Sequence, residues 1–278
     1  MSNGRFAKRS LGQNFLVDRN YVQKIIRSLD LKDTDTVIEI GPGRGAITEY
    51  LVGSGARVIA IELDREFVPM LWERFSANDN FSITEADATK VNFEELISEL
   101  PNSEFRDPHS IKLVANLPYY ISTAILQHLE THREVFSSLV LMFQREVVDR
   151  ILAAPGSSER GYLSVIVGSA FDVTRLFDVP PNAFRPVPKV TSSVARLTPK
   201  PASAADAAAF RQLLSAAFAQ KRKTLFNNLK RSYPTISEML ERSGIDGKRR
   251  AESLTLDEWL RLYGGLEEND QPDLTQVR

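Results

Sequence analysis

Through the first two-thirds of the chain, short apolar runs rich in β-branched residues alternate with stretches whose apolar positions recur every three or four residues. The runs at 36–40, 57–61, 81–85, 111–115, 138–143, 163–171 and 193–197 predict strands. The stretches at 21–29, 46–52, 65–75, 93–100, 121–129 and 145–153 predict helices. Regular strand–helix alternation means βαβ units with right-handed crossovers. The fold class is therefore α/β, with a mostly parallel sheet covered on both faces.

The pattern changes twice. Four prolines fall within 180–188, and their missing N–H groups predict a stiff loop without regular structure. Pro199-Lys200-Pro201-Ala202-Ser203 then reads as a linker, after which the β-branched runs stop. Residues 204–230, 236–242 and 255–263 predict helices, with Thr255 as an N-cap. This gives a first domain over 1–203, a smaller all-helical domain over 204–266, and a polar acidic tail over 267–278 that is expected to fray.

Composition narrows the chemistry. The chain has 278 residues, no cysteine and three histidines, which excludes disulfides, thiolate metal sites and a cysteine nucleophile. The histidines (His109, His128, His132) leave little room for a metal centre or a Ser-His-Asp hydrolase, so no metal is expected. No stretch approaches the roughly 20 apolar residues of a membrane span. No apolar run follows the basic N-terminus as a secretory signal would require. A soluble, cytoplasmic protein is the expectation, taken as a monomer.

Net charge is −1, which argues against a nucleic-acid partner only as an average. Residues 1–27 carry +5, 28–204 carry −7, 205–250 carry +6 and 251–278 carry −5. Two basic segments flank an acidic middle, and Lys221, Arg222 and Lys223 stand at the centre of the second. Such segregation fits a polyanion partner; solvated helix faces are the plain alternative.

Glu39-Ile40-Gly41-Pro42-Gly43-Arg44-Gly45 leads from a predicted strand into a predicted helix. Glycines there allow a tight turn and close approach of a ligand to the backbone. Glu62 ends the next strand, 21 residues after Gly41, where a carboxylate accepts from the hydroxyls of an adenosine ribose. The glycine spacing departs from G-x-G-x-x-G, and a carboxylate at position 39 suits a cationic centre better than a pyrophosphate. S-adenosylmethionine, an adenosine with a sulfonium and an amino-acid tail, has those properties. A purely structural turn is the other reading of the loop.

Asp87 follows the third strand, placed to accept from the adenine amine of that ligand or to cap the helix near Asn92. After the fourth strand comes Asn116-Leu117-Pro118-Tyr119-Tyr120. An adenine N6 is a poor nucleophile because its lone pair is delocalised into the ring. The Asn116 side-chain oxygen and the Pro118 carbonyl offer two acceptors for the N6 hydrogens, which draws the nitrogen toward tetrahedral geometry. Tyr119 supplies a flat face for stacking the purine. Upstream, Gln13, Asn14, Phe15 and Leu16 are placed to cap the same pocket, or else begin an amphipathic helix. Phe184, on the proline-rich loop, reads either as a second stacking face for a flipped base or as a core residue.

Together these residues resemble the KsgA family of ribosomal RNA adenine dimethyltransferases. The resemblance runs from Lys8 to about Tyr263. It rests on Gly12-Gln13-Asn14-Phe15-Leu16, the Glu39–Gly43 loop, Ile61-Glu62-Leu63-Asp64, Asp87-Ala88 and Asn116-Leu117-Pro118-Tyr119. It continues through Val179-Pro180-Pro181-Asn182-Ala183-Phe184, Pro186-Val187-Pro188-Lys189-Val190 and Lys221-Arg222-Lys223-Thr224-Leu225. Tyr120 stands where many members carry Asn. The resemblance implies a Rossmann-like class I methyltransferase sheet of seven strands, one of them antiparallel, and a helical domain that binds RNA. It implies S-adenosyl-L-methionine contacts at Asn14, Leu16, Gly41, Glu62, Asp87 and Asn116. The implied product is N6,N6-dimethyladenosine at two adjacent adenines near the 3′ end of small-subunit RNA, made during ribosome biogenesis with that RNA or an immature small ribosomal subunit as partner.

Three alternatives stand beside that reading. One is a large-subunit RNA adenine methyltransferase of the macrolide-resistance type. The second is a ribosome-assembly factor without catalysis, and the third a nicotinamide oxidoreductase, which the glycine spacing disfavours. The basic segment at 221–223 has a testable consequence. Neutralising Lys221, Arg222 and Lys223 together weakens RNA binding and flattens the slope of log affinity against log salt, by about 0.7–0.9 for each phosphate no longer neutralised. Filter-binding titrations across a salt series measure it, and an unchanged slope returns the three residues to the solvated-face reading.

Overall fold

All five residues of Thr36–Ile40 are buried, as a central strand covered on both faces requires. The computed structural model describes residues 13–98, 110–203 and 208–266. Expectations for the basic leader through Gly12, for His109, for positions 99–100 and 204–207, and for the tail from Glu267 lie outside the described residues. The described chain divides into two compact units. The first reaches to Val148 and resumes over Asp172–Pro199; the second takes Asp149–Phe171 and the residues from Lys200 onward.

In chain order the elements are β1 (Phe15–Leu16), α1 (Arg19–Leu29), β2 (Thr36–Ile40), α2 (Thr48–Val52), β3 (Arg57–Glu62), α3 (Phe67–Phe75), β4 (Phe81–Glu85), α4 (Phe93–Ser98), β5 (Ile111–Asn116), α5 (Ser122–Thr131), β6 (Ser138–Gln144) and α6 (Arg145–Ile151). There follow α7 (Tyr162–Ala170), β7 (Phe171–Val179), β8 (Phe184–Arg185), β9 (Ser192–Pro199), α8 (Ala208–Ala217), α9 (Leu225–Leu229), α10 (Ile236–Ser243) and α11 (Leu256–Gly264).

The main sheet has seven strands in the order β4-β3-β2-β5-β6-β9-β7. Strands β2 to β6 pair in parallel, and β9 runs antiparallel to β6. From β2 the chain winds outward through β3 and β4 on one side, and through β5 and β6 on the other. A crevice therefore opens at the C-terminal ends of β2 and β5. Register sets what lines it. Ile40 is level with Ile61 on one neighbour and Ala115 on the other, so Gly41, Glu62 and Asn116 leave the sheet side by side. Glu62 in turn is level with Glu85, which puts Asp87 two residues beyond the same edge.

Three expectations are corrected. The run 163–171 is helix α7, and the strand lies after it as β7. Almost every residue of α7 is buried, so no polar face betrays a 3.6-residue period, and periodicity cannot separate such a helix from a buried strand. β7 hid because Asp172, Arg175 and Asp178 interrupt its apolar positions. The proline-rich loop carries a 3₁₀ turn at Pro181–Ala183 and then β8, which pairs antiparallel with β1 through Phe15↔Arg185 and Leu16↔Phe184. The helix expected over 204–230 breaks after Ala217, and α9 restarts behind Thr224, whose hydroxyl accepts from the Asn227 N–H at 3.3 Å. Asn228 closes the intervening turn by donating to the carbonyls of Ala217 (2.7 Å) and Gln220 (3.1 Å). Lys221, Arg222 and Lys223 are exposed on that turn.

In the second unit α7 packs against α8 and α11. Phe210, Leu213, Leu225, Leu229, Tyr233, Met239 and Trp259 form its buried apolar interior. Among the described residues no helix is long and apolar enough to cross a membrane. Thr255 caps α11 as its sequence suggests. Its hydroxyl accepts from the Glu258 N–H (3.2 Å), and its own N–H donates to Glu258 Oε2 (2.8 Å). Arg249 adds two bonds to the same carboxylate, at 2.6 and 3.0 Å, and these are the main cause holding the Glu258 pKa down to about 2. A depressed carboxylate pKa means stability present above the ordinary value of 4.5 and lost as pH falls toward 2. Glu258→Ala is therefore expected to cost about 1–2 kcal/mol at pH 7, and the deficit is expected to shrink below pH 4.5 in denaturant titrations run at several pH values.

Candidate active site

A cleft opens where the sheet register placed it. Its walls are Gln13, Asn14, Phe15 and Leu16, the Glu39–Arg44 loop with Ala46 and Ile47, then Ile61-Glu62-Leu63, Ala86-Asp87-Ala88 and the segment from Asn116 to Ile121, with Ile125 behind. The structure thus brings Asn14, Leu16, Gly41, Glu62, Asp87, Asn116, Pro118 and Tyr119 to one place. Gln13 and Asn14 lead in extended chain to the two-residue strand Phe15–Leu16, not a helix start. Phe15 packs edge-on against Phe67, 5.6 Å between ring centres, and lies under the Arg44 guanidinium at 4.5 Å. Gly43 must be glycine: its φ is +55°, and a Cβ would come within 3.1 Å of the Phe15 ring.

The amides of the loop face the protein. Gly41 N–H donates to the Ile61 carbonyl (2.9 Å), Gly43 N–H to Glu62 Oε2 (3.0 Å) and Gly45 N–H to the Pro42 carbonyl (2.8 Å). A phosphate-binding loop turns such donors toward the ligand; here all three are committed to protein acceptors. The walls instead offer acceptors. Glu62 is 6% exposed, and its Oε1 accepts from the Asp64 N–H (2.8 Å). Each Glu62 oxygen retains a second lone pair for a hydroxyl donor. Burial pushes its pKa up, against the lowering effect of the Asp64 and Gly43 N–H groups. Asp87 accepts from the Thr89 N–H (3.0 Å) and hydroxyl (2.7 Å), and the hydroxyl bond is the main cause holding its pKa down. The helix-capping role that Asp87 also suggested falls to Asn92, whose Oδ1 accepts from the Glu95 N–H at 3.1 Å.

Glu39 is 2% exposed, beneath the loop, with the Thr48 hydroxyl donating to its Oε2 at 2.7 Å. Burial is the main cause raising its pKa to about 8, and the nearby Glu62 charge adds to it; the Thr48 bond opposes both.

Asn116 Nδ2 donates to the backbone carbonyl of Asn14 at 3.2 Å, which commits the amide nitrogen and presents Oδ1 as acceptor. The Pro118 carbonyl also closes the following turn, accepting from the Ile121 N–H at 3.2 Å. The Tyr119 hydroxyl meets Ser192 Oγ at 2.7 Å.

Phe184 is not among the cleft residues. It is 1% exposed within the apolar core that includes Leu16, Val179 and Val194, so the stacking role suggested for it is corrected to packing. Lys221, Arg222 and Lys223 belong to the second unit. Thr48, Thr89 and Ser192 escaped the sequence reading. Only Thr89 carries a signal, because Asp-x-Thr is an Asx-turn pattern. Among the described residues no His, Asp and Glu group is placed to hold a metal ion.

A mostly parallel seven-stranded sheet with one antiparallel strand, and an acceptor-lined cleft at its switch point, define a Rossmann-like methyltransferase. The chain belongs to the ribosomal RNA adenine dimethylase family, whose sequence profile matches residues 4–268. It is 42% identical over 264 residues to a protein of Geobacter metallireducens named ribosomal RNA small subunit methyltransferase A, covering 92% of this chain and 94% of the relative. The crystal structure of a dimethyladenosine transferase from Plasmodium falciparum superimposes with a TM-score of 0.75 at 28% identity, over 89% of this chain and 95% of that one. That of the 23S rRNA methyltransferase ErmE gives 0.65 at 25%, over 91% and 99%.

The buried Glu39 leads to a stability test. A folded-state pKa of about 8 against the ordinary 4.5 means that the native state keeps a proton the unfolded chain releases, so stability declines as pH rises from 4.5 to 8. Glu39→Gln removes that cost. Relative to wild type it is expected to gain on the order of 1–3 kcal/mol by pH 8 and nothing at pH 4 in urea titrations.

Proposed function

We infer that this chain is a small-subunit ribosomal RNA adenine N6-dimethyltransferase that draws its methyl groups from S-adenosylmethionine. The observation that carries the reading is the pairing of two features in one cleft. The glycine-loop amides are spent on the protein while Glu62 and Asp87 stand as acceptors, and Asn116-Leu117-Pro118-Tyr119 lies beside them. Acceptor-lined walls with an ionised Asp87, and amides already committed to the protein, offer a pyrophosphate no donors, which disfavours a nicotinamide dinucleotide. They suit a ligand with ribose hydroxyls, an adenine amine and a positive charge. Glu62 then accepts from the ribose, Asp87 from the adenine amine, and Asn14, Leu16 and Gly41 close around the ligand. When bound, S-adenosylmethionine supplies an electrophilic methyl group on its sulfonium sulfur.

The chain's own task is to hold the target nitrogen. Asn116 Oδ1, the acceptor end of an amide whose Nδ2 is bonded to Asn14, accepts one N6 hydrogen, and the remaining lone pair of the Pro118 carbonyl accepts the other. Tyr119 supports the purine ring. Once alkylated, the nitrogen is acidic enough to lose its proton to water, so the cleft needs no strong base. The substrate in this reading is ribosomal RNA within an immature small subunit, engaged by a monomer in the cytoplasm. The exposed basic turn of Lys221, Arg222 and Lys223 contributes attraction for its phosphates.

The likeness to ErmE keeps a large-subunit substrate as a second reading. A methyl-transfer assay on undermethylated small and large subunits, followed by nucleoside analysis and primer extension, separates them. Wild type is expected to yield N6,N6-dimethyladenosine at two adjacent positions of small-subunit RNA only. Asn116→Ala is expected to lower that yield at least about 100-fold while RNA binding persists. A stop confined to large-subunit RNA selects the second reading, and full activity in Asn116→Ala removes Asn116 from the mechanism.

A further inference from the structure

We propose that Ser192 is a positioning residue for methyl transfer: its buried hydroxyl holds the phenol of Tyr119 and so fixes the aromatic face on which the target adenine docks. The proposal rests on the function inferred above and adds to it a residue outside the Asn-Leu-Pro-Tyr motif.

Tyr119 sits in the short turn between β5 and α5. The backbone of that turn is held by Leu117 N–H to the Met142 carbonyl (3.3 Å), Ile121 N–H to the Pro118 carbonyl (3.2 Å) and the Ser122 hydroxyl to the Tyr119 carbonyl (3.1 Å). None of these bonds fixes the direction in which the side chain leaves the backbone, which is set by rotation about its Cα–Cβ bond. The ring is half-buried, and its far end is where a restraint acts with most leverage. There the Tyr119 hydroxyl lies 2.7 Å from Ser192 Oγ.

Ser192 is a rigid anchor. It is 0% exposed and begins β9, level with Gln144 of β6. Its neighbours tie down both sides. The Thr191 carbonyl accepts from the Arg145 N–H (3.0 Å), and the Ser193 hydroxyl donates to Asp178 Oδ1 (2.7 Å). The second oxygen of Asp178 is 4.0 Å from the Arg145 guanidinium. A hydroxyl in this seat has little freedom of its own, so ordering is transferred to the phenol it meets. A stacking face held in place before the base arrives costs nothing to order afterwards, and small misplacements of a docked reactant are expensive in rate.

Ser192→Ala and Tyr119→Phe delete the same bond from opposite ends. With undermethylated small subunits, each is expected to lower kcat about tenfold while the KM for S-adenosylmethionine and the calorimetric affinity for S-adenosylhomocysteine stay within about twofold. The double variant is expected to be no slower than either single one, because only one bond is removed. Multiplied losses in the double variant, or wild-type kcat in either single variant, overturn the proposal. Should Ser192→Ala fail to fold, Tyr119→Phe alone decides, since wild-type kcat there overturns it equally. A readout independent of turnover is the Cα–Cβ rotamer distribution of Tyr119, measured from three-bond NMR couplings. It is expected to report one rotamer in wild type and an averaged population in Ser192→Ala; an unchanged distribution overturns the proposal. A wild-type protein that makes no dimethyladenosine, yet shows the rotamer response, sinks the functional reading and not the anchoring by Ser192.

Discussion

The hydrogen bond from Gly43 N–H to Glu62 does more than close a loop. It ties the turn after β2 to the end of β3 at 3.0 Å, and its partner from the Asp64 N–H at 2.8 Å fixes the other carboxylate oxygen. Glu62 is thereby oriented as an acceptor before any ligand arrives. The same bond consumes an amide that a phosphate would need, so one interaction both orients the Glu62 acceptor and closes the loop to a pyrophosphate. Its geometry depends on the positive φ of Gly43, where a Cβ would also crowd the Phe15 ring at 3.1 Å. The cleft is thus selective through what its backbone has already committed.

A second constraint comes from far along the chain. β1 and β8 are only two residues each, too short to be stable alone, yet they pair across some 170 positions. β8 is pinned by Phe184 in the core, and β1 carries Asn14 and Leu16 to the cleft wall. The Asn14 carbonyl then orients the Asn116 amide. Loss of the stacking role of Phe184 therefore gives it a different function. By packing beneath the strand pair, it helps hold the segment that fixes the orientation of Asn116.

The sheet and most of the cleft were legible in the sequence because they are local or set by register. Strands β2, β3, β5 and β6 are largely apolar runs and β4 alternates through Phe81 and Ile83; once they pair in parallel, Gly41, Glu62 and Asn116 must emerge together. What was hidden depends on tertiary environment. Helix α7 has no polar face because its surroundings are apolar all round, and β7 is an edge strand interrupted by charges. The break before α9 turns on one capping threonine and two bonds from Asn228, which propensity summed over a long window averages away. Ser192 lies 73 residues from Tyr119, and nothing in a serine among serines announces a partner so distant.

The charge pattern follows from the chemistry once both units are known. A cleft lined by Glu39, Glu62 and Asp87 favours a cationic ligand, and for the same reason it repels a polyanion. Raised carboxylate pKa values at Glu39 and Glu62 soften that repulsion but leave Asp87 ionised, because its Thr89 bonds favour the charged form. In the function proposed above, attraction for RNA comes from elsewhere in the chain; the exposed turn at Lys221–Lys223 carries three adjacent cations in a unit whose core needs none of them. In that reading the preference for a cation and the preference for a polyanion fall on different segments of the chain. A net charge near zero is then the sum of two separated requirements, and any substitution that makes the cleft more basic is expected to weaken the first without helping the second.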